Sequence, residues 1–140
     1  MAETGLVLDE RFERHDTGPG HAECAARLEA IRGVLAESGL DRRCLRIEPV
    51  PVSDTVLHRI HEPAYVRRVE AACRQGAPFM DVPDSAICRD SYEIGRLAAG
   101  SVIEAVDAVM GGRLDNAFCA LRPPGHHAER DRSMGFCLFN

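Results

Sequence analysis

Residues 91–125 constrain the fold more than any other stretch of the chain. Ile94, Leu97, Ala98, Ser101, Val102, Ala105, Val106 and Val109 recur at helical spacing and predict an amphipathic helix over about 91–110. Asp90 before it, followed by Glu93 in its first turn, has capping-box spacing, and Gly111-Gly112 follows as its stop. The next run, Asn116 to Leu121, reads as a buried strand, because Ala-Phe-Cys-Ala-Leu lacks polar alternation. Pro123 and Pro124 then break any ladder, having no amide proton to donate. Helices alternating with short apolar strands predict an α/β fold with a mainly parallel sheet flanked by helices.

The rest of the chain fits that scheme. Thr4 to Leu8 reads as a first strand, and Arg11 to Cys24 as a loop rich in Gly, Pro, His and Asp. Leu28, Ile31, Val34 and Leu35 share a helical face that stops at Gly39. Leu45 to Val52 alternates around two prolines, as a short or edge strand does. Asp54 is placed to cap a short helix through His61, Pro63 to open another reaching Gln75, and residues 76–89 form a second loop. One domain accommodates all 140 residues.

Composition removes several functions. All 17 basic residues are arginine and the net charge is −5, with no basic cluster interleaved with aromatics, so direct nucleic-acid binding is not expected. No apolar run is long enough for a membrane span and no signal peptide is recognisable, so a cytoplasmic location is expected. The six cysteines form no Cys-x-x-Cys pair and read as reduced thiols. Cys137 lies in an apolar run without a nearby cation, a poor setting for a nucleophile.

Chemistry concentrates in Leu121-Arg122-Pro123-Pro124-Gly125-His126-His127-Ala128, where a stiffened loop leaves the end of the last strand. In parallel sheets, function gathers beyond the carboxyl ends of the strands. An imidazole takes or gives a proton near neutral pH, so His126 and His127 are candidates for base and acid in one hydrolysis. An isolated His-His more often has one ring bonded to its loop and the other solvated. His58 and His61 share metal-ligand spacing, but no carboxylate or cysteine completes a site there, so a structural role is expected.

Residues 121–140, through Met134-Gly135-Phe136-Cys137, resemble the signature of the histone deacetylase superfamily, which includes acetoin-utilisation proteins and acetylpolyamine amidohydrolases. Agreement extends to His15-Asp16-Thr17-Gly18-Pro19-Gly20-His21 with Arg27-Leu28, to His61 with Tyr65-Val66, and to Asp84-Ser85 with Ser91-Tyr92-Glu93. The family commonly carries prolines where this chain has Ala22 and Ala25, and threonine in place of Ser85. The resemblance implies the N-terminal part of an arginase/deacetylase-like fold, with residues 1–140 as a truncated portion of one such domain. It also implies zinc-dependent removal of acetyl groups from acetyl-lysine or acetylated small amines. His127 would be the general base and proton donor to the leaving amine, and His126 its electrostatic support. Gly135 and Phe136 would line a narrow substrate tunnel, Asp84 would bind substrate at its rim, and Arg27 would lie near an inner cavity.

The family's zinc ligands fall downstream of the matched motifs, so no metal ligand is assigned among these 140 residues. Without them the chain alone is expected to be inactive and to expose an apolar face. Two alternatives are a non-catalytic remnant or interaction module of the same fold, and a metal-free hydrolase using the two histidines with Asp84 or a cysteine.

Overall fold

The first strand of the chain becomes the centre of its sheet. The computed structural model describes residues 3–140. Strand β1 (Thr4–Leu8) pairs in parallel with β2 (Leu45–Arg46) on one side and β3 (Asn116–Ala120) on the other. Leu8 is in register with Ala120, so β1 and β3 end side by side and release their loops at one edge.

Four helices flank this sheet: α1 (Ala26–Ser38), α2 (Asp54–Leu57), α3 (Pro63–Gln75) and α4 (Ser91–Met110). The predicted stops hold, with Gly39 ending α1 and Gly76 ending α3. One apolar cluster packs Val66 and Val69 of α3 with Tyr92, Leu138 and Phe139. A second packs Val7 of β1 with Phe12, Leu28, Ile94, Leu97 and Ala120. Helix α4 contributes to both and joins them.

Several local expectations are corrected. The capping box does not form: Asp90 has helical backbone angles and pairs instead with Arg14, while Glu93 meets Arg96. No side chain caps the start of α4; the Ser91 hydroxyl instead accepts from the Cys88 amide of the preceding loop at 2.8 Å. Asp54 is the first residue of α2 rather than its cap, and its carboxylate accepts the Tyr92 hydroxyl at 2.7 Å. The strand expected over 45–52 shrinks to two residues. Pro49 and Pro51 cannot join a ladder, and the Val52 amide donates to Arg96 of α4.

Strand β3 is not buried on both faces. It is an edge strand in this chain, and Phe118 is half exposed. The α4 stripe is narrower than its periodicity suggests. Small residues, Ala98, Ser101, Ala105 and Ala108, face inward, while Val102 and Val106 stand in solvent with Ile103 and Met110. An apolar face is therefore exposed along α4.

Candidate active site

The loop that leaves β3 is held to the protein by close backbone contact. Gly125 lies against the Phe139 carbonyl so tightly that a Cβ there would overlap it. The Leu138 amide donates to Pro124 at 3.3 Å. His126 and His127 follow, both exposed, with ring centroids 4.3 Å apart and planes inclined at 58°. Among the described residues no side-chain hydrogen bond fixes either ring.

A second turn faces them. Met134 and Cys137 exchange backbone hydrogen bonds around Gly135 (φ 54°) and Phe136 (φ 70°). Consecutive positive φ values suit glycine but not phenylalanine, and a non-glycine residue held in that conformation marks a place where presentation of the side chain matters. The Phe136 ring is half-buried and meets the His21 ring edge-to-face at 5.0 Å. Gly135 packs directly on the His127 ring.

His21 brings in the third candidate element. Its Nδ1 accepts from the Glu23 amide at 3.1 Å, which leaves Nε2–H to donate to the Asp84 carbonyl at 3.1 Å. Asp84 is exposed, and its carboxylate accepts from the Ser85 hydroxyl at 3.2 Å. His126, His127, Gly135 and Phe136 line one open cavity, together with Glu23 and Arg27 of the first loop and helix. Asp84 does not line it and is joined to it through His21.

Two other histidines are tied into the fold around this cavity. His15 is buried, its Nδ1 bonded to the Ser91 hydroxyl at 2.7 Å. Burial, helped by the nearby Arg122 charge, holds its pKa down to about 4. His61 is also buried, and burial lowers its pKa. Its Nδ1 donates to the Glu129 carbonyl at 2.8 Å and its Nε2 accepts from the Asn140 amide at 2.9 Å. His61 therefore ties down the loop after the histidine pair, while His58 is exposed. Burial raises the Cys137 thiol, opposing any thiolate role. Among the described residues, no group of three or more His, Cys, Asp or Glu side chains is arranged to hold a metal. These residues alone do not fit zinc.

Sequence reasoning passed over Glu23 and Arg122. Arg122 is buried and forks onto Glu23, with Nε to Oε1 at 2.7 Å and Nη2 to Oε2 at 2.9 Å. The only trace in the sequence is an arginine inside an otherwise apolar and proline-rich run. Its partner, 99 positions away, has no local signature.

The family model described as Histone deacetylase domain matches residues 21–140. A histone deacetylase-like amidohydrolase of Pseudomonas aeruginosa is 42% identical over 120 residues, covering 86% of this chain and 31% of that protein. The polyamine deacetylase HDAC10 of Mus musculus is 34% identical over 123 residues, covering 84% of this chain and 18% of that protein. The solved HDA15 HD domain superposes with a TM-score of 0.93 at 32% identity, covering all of this chain and 41% of that one. The chain thus spans less than half the length of these relatives.

Proposed function

Since the chain belongs to the histone deacetylase family, we propose that it carries the proton-handling half of a zinc-dependent deacetylase or amidohydrolase site, acting on acetyl-lysine or an acetylated small amine. The observation that carries this is the pair of exposed imidazoles, 4.3 Å apart, in one cavity with Gly135 and Phe136. His127 is the base that takes a proton from the attacking water and returns it to the leaving amine nitrogen. His126 stabilises charge beside it. Phe136 supplies an apolar wall for an aliphatic chain, since a flat ring buries methylenes without demanding hydrogen bonds. Exposed Asp84 accepts from the substrate's amide or amine groups.

Zinc would polarise the amide carbonyl. Its ligands are assigned to residues outside these 140, whereas proton transfer and substrate contact belong to this chain's own side chains. No helix among the described residues is long and apolar enough to cross a membrane. Six free cysteines support a reducing, cytoplasmic setting.

The test compares hydrolysis of a fluorogenic acetyl-lysine peptide and an acetylated polyamine by the 140-residue chain and by the complete gene product. Zinc-dependent turnover is expected only from the complete product. His127→Ala should lower it by about 10²–10⁴-fold. Undiminished turnover with both histidines replaced by alanine sinks the reading. A complete product that neither binds zinc nor hydrolyses acetamides favours a non-catalytic module.

A further inference from the structure

We propose that the Glu23–Arg122 ion pair positions the loop that carries His126 and His127, an inference that rests on reading those two rings as the proton-handling pair. Both partners are buried, Arg122 at 1% exposure and Glu23 at 3%. The guanidinium also donates through Nη1 to the Phe12 carbonyl at 3.2 Å. Its fork therefore joins the loop after β3 to the first loop and to the turn after β1.

Stability does not account for such a pair. Removing two charges from water is costly, and well-packed apolar replacements are often neutral or stabilising. A bidentate fork does supply direction, because two parallel hydrogen bonds fix both distance and plane. One side of this fork fixes Glu23, which lines the cavity with Arg27. The other side fixes residue 122. From there Pro123 and Pro124, with φ locked by their rings, carry the orientation to Gly125 and the histidines.

His15 completes the cluster. Its Nε2 stands 3.5 Å from Glu23 Oε2 with no hydrogen-bond partner, while Nδ1 is anchored to Ser91 at the start of α4. The buried carboxylate is thus approached by Arg122, by His15 and, at 3.6 Å, by Nη1 of Arg27, which lines the cavity. None of these groups touches the candidate reacting atoms, so Glu23 and Arg122 are positioning residues.

The experiment uses the 140-residue chain with isotope-labelled histidine. It reads two quantities: the urea midpoint of unfolding, and the nuclear Overhauser cross-peak between the rings of His126 and His127. In the double variant Glu23→Leu/Arg122→Met, the midpoint should not fall, while the cross-peak is lost. A folded double variant that keeps the cross-peak overturns the proposal. If the double variant does not fold, Arg122→Lys decides, since it keeps the charge and discards the fork. Loss of the cross-peak in Arg122→Lys supports positioning, and an unchanged cross-peak refutes it. The readout is ring geometry rather than turnover. An inactive complete gene product would therefore sink the deacetylase reading and leave this result standing.

Discussion

Gly135 turns with a φ of 54°, and a Cβ placed on it would sit 2.9 Å from Cδ2 of His127. An alanine there costs about 1–2 kcal/mol for the left-handed backbone. It must also push the imidazole aside. Gly135→Ala should lower the unfolding free energy by that amount and shift the His127 ring resonances, both measurable on one labelled sample. His15 offers a separate test. Its pKa is about 4 when folded against 6.5 as the ordinary value, so below pH 6.5 the unfolded chain binds the extra proton first. Stability is therefore complete above pH 6.5 and falls as pH drops towards 4, by roughly 3 kcal/mol over the whole window. Burial of His61 acts in the same direction. Urea unfolding at stepped pH should show this slope, and His15→Gln should flatten it. A slope unchanged by that substitution would assign the acid sensitivity elsewhere.

At the scale of elements, α4 shows how local rules yield to tertiary contacts. Asp90 has the side chain and spacing of a cap, yet Arg14 engages its carboxylate at 2.9 Å. Ser91, one residue later, caps no helix amide but ties the preceding loop to the helix start, serving both Cys88 and His15. Ser91→Ala leaves those two groups without their partner and should cost about 1–3 kcal/mol in urea unfolding. Asp90→Ala should cost far less, since an exposed ion pair contributes about 0–1 kcal/mol. Element existence was legible wherever periodicity and punctuation agreed: Pro63 with Gly76, Gly39, and the Gly111-Gly112 stop. The histidine pair was legible too, because a proline-glycine loop after a strand is a local pattern. Burial of β3 and the width of the α4 stripe were not, because they depend on which neighbours cover each face. The Glu23–Arg122 fork and the His21 bridge to Asp84 were hidden for a related reason. Pairings 99 and 63 positions apart leave no periodic trace.

For the molecule as a whole, several large apolar side chains lie exposed on neighbouring elements. Val106 is 51% exposed and Met110 is 81% exposed on α4, and Phe118 is 48% exposed on the edge strand. An apolar face beside an unpaired strand edge favours self-association. The 140-residue chain should bind a hydrophobic dye and scatter light more strongly as its concentration rises. Val106→Glu with Met110→Glu should reduce both without lowering the unfolding midpoint.

The order β2-β1-β3 has a further consequence for how the polypeptide matures. The central strand is synthesised first, but its two neighbours arrive only with residues 45 and 116. A nascent β1 therefore leaves the ribosome long before either flank exists to receive its amides. Contacts this distant in sequence close slowly. Protection of the Val7 amide, read by pulse-labelling during translation, should appear only once β3 has emerged, whereas Leu6, which bonds β2, should not need β3.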